Sequence, residues 1–257
     1  MVNNLQDLSG HWLFGQSLAD AIKKYGVEFF ADVRINNPDW QPVLRATRNN
    51  GVIWNGINLA NVDMSQSDLS QAYLDNACLR EANLTKTIFR QSHLMHADLQ
   101  EATISHADFY GSDLSRANLA DSSLLCAIMT RVCFYRANLC GVFAPYTDFN
   151  DADLRGANLS VGTFFSATFI GADLREANLS GGHFFSATFN GANLYRANLR
   201  NSDVRGGSFC GAQLQGANLM GMNWGNTELK GANITHAIIS DKDLEMVLSL
   251  GAIQDKK

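Results

Sequence analysis

Between positions 59 and 239 every fifth residue is apolar, and the frame does not slip. The centres run Leu59, Met64, Leu69, Leu74, Leu79, Leu84 and Phe89, and continue to Leu229, Ile234 and Ile239. Two positions before most centres stands a small residue, as at Ala72, Ala77, Ala82, Ser92, Ala97, Ala102 and Ala107. A period of five fits neither a helix, which repeats every 3.6 residues, nor a plain strand, which repeats every two. It fits a short extended piece followed by a corner. In an extended piece, residues two apart point the same way. With the centre written i, positions i−2 and i then face inward, i−1 faces outward, and i+1 and i+2 turn the corner.

A second period sets the number of corners per turn. Residues 161–180 read VGTFFSATFIGADLREANLS and residues 181–200 read GGHFFSATFNGANLYRANLR, with 13 of 20 positions identical. Phe89, Phe109, Phe149, Phe169, Phe189 and Phe209 fall on one 20-residue column, with Met129 in the gap. Four five-residue units therefore make one coil. Like residues on successive coils stack about 4.8 Å apart, the spacing of paired strands, so about nine coils make a rod roughly 43 Å long.

The units Ala82-Asn83-Leu84, Ala97-Asp98-Leu99, Ala117-Asn118-Leu119, Ala152-Asp153-Leu154, Ala157-Asn158-Leu159 and Ala217-Asn218-Leu219 resemble the A-[DN]-L-x-x motif of the pentapeptide-repeat family. The resemblance covers nearly all of residues 55–240. It implies an all-β fold, a right-handed four-sided parallel β-helix; the handedness comes from the family and not from the periodicity.

An open stack exposes core and unpaired strand edges at both ends, so solenoids carry caps. Three segments are expected: residues 1–52 as a partly helical N-terminal cap or partner-binding segment, 53–240 as the β-helix, and 241–257 as a C-terminal capping helix and tail. At the C-terminal end, Ser240 with Asp243 three residues on reads as a capping box. Gly251 reads as the stop signal, and Leu244, Val247, Leu248 and Ile253 as one apolar face. At the N-terminal end, residues 17–25 read as a helix stopped by Gly26, and Asn37-Pro38 as the start of a second helix running to about Arg48. Trp12, Phe14, Phe29, Phe30 and Trp40 are too many aromatics for a disordered segment. MVNNLQDLSG has no basic stretch followed by an apolar run, so it is not expected to be a signal peptide.

Composition narrows the functional classes. The net charge of −5 over 257 residues comes with no basic cluster that would point to nucleic acid. No stretch reaches the length of a membrane span, so no membrane insertion is expected. Cys78, Cys126, Cys133, Cys140 and Cys210 are odd in number and fall on outward positions of different faces, which argues for reduced thiols in a cytoplasmic protein. His93 and His96 lie close in sequence on outward positions without a fixed acidic or Cys partner, so no metal is expected. Asp and Asn alternate at i−1 and read as turn-bonding residues. No catalytic motif occurs, and a convex rod lacks the concave pocket catalysis prefers. The chain reads as non-enzymatic, with no catalytic residues and no cofactor.

Two surface features remain. Arg155 and Arg175 stack at i+1, each two residues after an Asp, and Arg116, Arg136 and Arg196 fall on the neighbouring corner column; these read as a salt-bridged solvated face. The other feature is apolar. Leu125, Pro145, Phe165 and Phe185 share one i+1 column across four coils, Phe143 and Tyr146 flank Pro145, and Val161 lies on the adjacent corner. An apolar stripe on a soluble rod marks a contact surface. Within it, Ala144 replaces a large centre while its i−2 partner is the bulky Val142, so the volumes compensate or residues 141–147 bulge outward.

These features predict a protein-interaction scaffold that binds a protein partner or self-associates, for instance as a homodimer, through Leu125, Phe143, Pro145, Tyr146, Phe165 and Phe185. The alternative comes from the family, some of whose members protect DNA gyrase and topoisomerase IV as acidic, duplex-shaped rods. Residues 55–240 carry 16 Asp and Glu against 12 Lys and Arg, a net of −4. Duplex DNA of that length carries roughly 25 charges. No loop interrupts the repeat, whereas some topoisomerase-protecting relatives carry projecting loops. Other members, in photosynthetic bacteria, are developmental and assembly factors that act by protein contact.

Overall fold

A computed structural model describes residues 12–254; the MVNNLQDLSG segment and the tail beyond position 254 lie outside the described residues. Parallel bridges join each outward i−1 residue to the one 20 positions on. Val43 with Asp63, Arg48 with Asp68, Ile53 with Tyr73 and Asn58 with Cys78 open four ladders, and the spacing of 20 holds without interruption to Asn218 with Ile238. The ladders define four faces. Their centres begin at Leu44 (face 1), Asn49 (face 2), Trp54 (face 3) and Leu59 (face 4).

Each unit makes the same local bonds. Leu154 N–H donates to Asp173 O at 2.7 Å on the next coil, and Asp173 N–H returns to Ala152 O at 2.9 Å. Ala157 N–H closes the corner onto Leu154 O at 3.0 Å. The i+2 residue has positive φ at every corner from Ala46 to His236. That is the signature of a type II turn, which favours Gly or Asn in this place. Most corners hold neither, and Val161 sits there at φ 50° although its branched Cβ disfavours the left-handed region. Ladder bonds on both sides hold it in that conformation.

The core is a column of i and i−2 side chains. Leu154, Leu159, Leu174 and Leu194 are fully buried, as are the Ala residues two before them. The Phe column of face 2 stacks with ring centroids 4.5–4.9 Å apart, one coil step, in the pairs Phe89–Phe109, Phe149–Phe169, Phe169–Phe189 and Phe189–Phe209. Burying each such side chain contributes about 1.5–3 kcal/mol. Volumes are matched between i and i−2. On face 1 the large centres Phe164 and Phe184 stand beside Gly162 and Gly182, where an added Cβ would come within 2.7 and 2.5 Å of the respective ring. One coil earlier the pairing is reversed, with Val142 beside Ala144, both fully buried. Residues 141–147 do not bulge: Phe143 bridges Ser123 and Thr163, and Ala144 N–H reaches Thr163 O at 2.7 Å.

The N-terminal end departs from expectation. Helix α1 spans Gly15–Tyr25 and α2 spans Val27–Asn36. No helix follows Pro38; the coil register already begins at Val43, ten residues before the expected start of the β-helix. Asn49 hid this extension, because it is a polar residue at a fully buried centre. Its amide is half satisfied: Nδ2 donates to Thr47 Oγ1 at 2.7 Å, with Thr47 in turn bonding Leu44 O and Ser67 Oγ, while Oδ1 is buried without a partner. Leu18, Ala19 and Ile22 of α1 and Phe30 and Val33 of α2 are buried in the common core. Arg34 donates from Nη1 to Asn58 O and from Nη2 to Ala60 O, both at 2.8 Å. Trp12 stacks on Trp40 at 4.4 Å, and Phe14 points into solvent.

At the other end α3 spans Asp241–Ser249. Ser240 caps the helix by accepting from Asp243 N–H at 3.2 Å, but the reciprocal half differs from a capping box: the Asp243 carboxylate accepts from the Ser240 hydroxyl, at 2.7 Å, in place of the Ser240 backbone N–H. Val247 is buried and Leu244 packs on the core, but Leu248 is exposed. Ile253 is not on the helix face. After Gly251 the chain turns back and Ile253 bridges Asn233, adding one more rung to face 3 with its side chain outward.

Candidate interaction surface

The stripe forms at the corner between faces 1 and 2. Ladder register alone puts Leu125, Pro145, Phe165 and Phe185 in one column, since a residue's neighbours along the rod are those 20 positions away. Phe165 and Phe185 stack face to face with centroids 5.5 Å apart and planes 5° from parallel. Tyr146, on the next corner residue, meets Phe165 edge-on at 5.4 Å. Phe185 is 42% exposed, Tyr146 57% and Phe143 48%, so three large rings face solvent on one side. Leu125 and Phe165 are half-buried by their neighbours in the column. Pro145 is a correction: it is buried, not exposed. Its short ring lies in the column between the longer Leu125 and Phe165, so it acts as floor and not as contact. Val161, 59% exposed, stands at the other edge of face 1.

The arginine column lies half a coil away, at the corner between faces 3 and 4. Arg155 donates from Nε and Nη2 to the two oxygens of Asp153 at 2.7 and 2.6 Å. Arg175 grips Asp173 in the same way, at 2.9 and 2.6 Å, and Arg205 repeats the arrangement with Asp203 on face 1. The Arg155 hydrogen bonds hold the Asp153 carboxyl below its ordinary range, and Arg205 does the same to Asp203. The paired carboxylates raise the Arg155 and Arg175 guanidinium groups further.

The other outward positions have structural work. Asp and Asn at i−1 accept from the backbone two residues on, as Asp63 does from Ser65 N–H at 3.0 Å and Asn158 from Ser160 N–H at 3.2 Å. His93 stacks on Tyr73 at 4.6 Å. The five cysteines are unpaired and half-buried. Among the described residues no group of three or more His, Cys, Asp and Glu could hold a metal ion, and no helix is long and apolar enough to cross a membrane.

The profile of pentapeptide repeats matches in eight copies, whose segments run from residues 55–91 through 97–134 and 163–201 to 212–245. The chain belongs to the pentapeptide-repeat family. The four ladders are thus those of the right-handed quadrilateral β-helix that this family forms. Among solved pentapeptide-repeat structures, HetL from the cyanobacterium Nostoc sp. strain PCC 7120, a protein involved in heterocyst differentiation regulation, is 27% identical. It aligns over 83% of this chain and 96% of its own, with a TM-score of 0.77. QnrB1, a plasmid-mediated fluoroquinolone resistance protein, is 15% identical over 80% of this chain and 86% of its own, with a TM-score of 0.42. No curated protein matches the sequence.

Sequence reading of this pentapeptide-repeat chain missed two aromatic residues of the arginine column. Tyr135 lies one coil before Arg155 and Tyr195 one coil after Arg175, in the same 20-residue register. Counting by 20 from either arginine finds them.

Proposed function

We propose that this pentapeptide-repeat protein is a non-enzymatic interaction scaffold, a rod of about nine coils that binds a protein partner or a second copy through the stripe on face 1. The observation that carries the reading is the exposed ring cluster of Phe143, Tyr146 and Phe185, backed by the half-buried Phe165 and Leu125 on the Pro145 floor. Elsewhere the same outward positions hold Ser, Thr, Asn, Asp or Arg in most coils. Large aromatics dominate binding energy where they meet a partner, and the column is too short to form a standard interface alone, so its polar rim takes part. The similarity to HetL, a protein involved in heterocyst differentiation regulation, supports a regulatory role. The ladder unbroken by loops and the arginine columns weigh against a gyrase-protecting rod.

The test is the double variant Phe165→Ser/Phe185→Ser. The ring-to-ring contact contributes about 0.5–1.5 kcal/mol beyond the area the rings cover, and neither ring belongs to the buried column of i and i−2 side chains, so the rod stays folded. Sedimentation velocity and affinity capture should show that association of the wild-type protein falls sharply in the variant, with an unchanged circular dichroism spectrum. Undiminished association, or loss of the fold, would overturn the assignment and make the rings part of the packing.

A further inference from the structure

The corner between faces 3 and 4 carries a shallow groove of about 280 Å³ that the stripe does not touch. Tyr135 and Tyr195 wall its two ends, Gly156 leaves the middle open, and Arg155 and Arg175 lie between the rings. Arg136 covers the Tyr135 ring at 5.2 Å and Arg196 the Tyr195 ring at 5.0 Å. We infer that this groove binds an extended acidic peptide segment of a protein partner.

Three observations carry the inference. The first is charge. Arg136, Arg155 and Arg175 line the groove with Glu176 as the one carboxylate in the lining, and Arg196 stands over Tyr195 at its end; even with the paired Asp153 and Asp173 counted, one positive charge is left over, on a chain whose net charge is −5. The second is fixed orientation. Each of Arg155 and Arg175 spends its Nε and one Nη2 hydrogen on the Asp two residues before it. A guanidinium has five N–H groups, so three on each remain for another acceptor, and the flexible side chain is already ordered before a ligand arrives. The third is length. Tyr135 and Tyr195 are three coil steps apart, roughly 14 Å, which is the reach of about four extended residues. The arginines form a row along the rod and do not converge on a point. A row matches the alternate carboxylates that an extended segment presents on one side, whereas a single phosphate needs donors that converge.

Because the groove and the stripe lie half a coil apart, on diagonal corners of a four-sided rod, and span the same coils, both can be occupied at once. The inference does not depend on the stripe. Fluorescence anisotropy of a fluorescein-labelled Asp-Glu-Asp-Glu peptide, titrated with the full chain at low salt, tests it. Saturable binding is expected, weakening as salt screens the charges, with none for the Asn-Gln-Asn-Gln counterpart. Arg155→Gln/Arg175→Gln should weaken binding at least tenfold. Arg155→Lys/Arg175→Lys, which keeps the charge but not the planar fork, should weaken it at least threefold. Phe165→Ser/Phe185→Ser should leave it within twofold. The proposal is overturned if the acidic peptide does not saturate up to millimolar protein, if the Lys variant binds as well as wild type, or if inorganic phosphate displaces the peptide at equal concentration.

Discussion

Faces 1 and 4 are built on the same five-residue unit and differ in what their outward positions do. On face 4 the i−1 position is Asn in six successive coils, Asn118 to Asn218, and the first five amides form a ladder. Asn138 donates to Asn118, Asn158 to Asn138, Asn178 to Asn158 and Asn198 to Asn178, at 2.9–3.2 Å. Asn118 ends the row on Asp98 at 3.1 Å. Each of these side chains is spent on its neighbours. On face 1 the corresponding residues are Ser123, Phe143, Thr163, His183 and Asp203, which cannot repeat one bond from coil to coil. Uniform repetition satisfies a face internally and leaves little for a partner. Irregularity gives up that ladder and frees the surface for binding chemistry.

The largest test of this contrast is a one-residue insertion between Asn158 and Leu159. Every later side chain in that strand would flip between core and solvent, and the 20-residue register would be lost on both sides of it. We expect loss of the cooperative thermal transition. The same insertion in the turn after Gly251, beyond the uninterrupted ladder, should leave most of the melting curve intact. Equal tolerance at both places would show that the ladder does not hold the rod together.

Core matching on face 1 provides the next test. Gly182→Ala places a Cβ against the Phe184 ring, and overpacking of this kind costs about 1–3 kcal/mol. Combining it with Phe184→Leu should recover part of the loss in urea denaturation, because the smaller side chain restores the volume match. No recovery would mean that backbone and not volume sets the glycine. On face 4 the i−2 position already holds Ala in every coil from Ala77 on, so no such conflict exists there.

The smallest expected effect sharpens the comparison directly. Asn158→Ala removes two bonds of the amide ladder, to Asn138 and from Asn178, and the bond from Ser160 N–H, and should cost about 0.5–1.5 kcal/mol. Thr163→Ala, at the corresponding position of face 1, should change stability by less than about 0.5 kcal/mol. Equal effects from the two substitutions would mean that the ladder contributes nothing beyond any exposed polar residue.

Most of the rod was legible because its rule is one-dimensional. A residue's place around the coil follows from its number modulo 20 and its height from the count of whole twenties, so Phe165 could be placed beside Phe185, and Arg155 beside Arg175, by counting. The reading failed where a residue broke the apolar rule while keeping the geometry. Asn49 is polar and buried at a centre of the first coil, where its Nδ2 bonds Thr47 while its Oδ1 stays without a partner, so an apolar rule cannot find it. Ile253 looked like part of α3 because it is apolar and close in sequence, yet it pairs with Asn233, which is distant in sequence and adjacent in space.

By itself the sequence determined the five-residue register, the four faces, the inward columns and the Ser240 cap, because each depends on local alternation and turn chemistry. Tertiary structure decided what neighbours along the rod do to one another. It buried Pro145 in the column of Leu125 and Phe165, matched Gly182 to Phe184, and clamped the exposed Arg155 and Arg175 onto Asp153 and Asp173 between the Tyr135 and Tyr195 rings. Exposure and enclosure depend on the relative heights of side chains 20 residues apart. Periodicity specifies which residues are neighbours but not how far each one reaches.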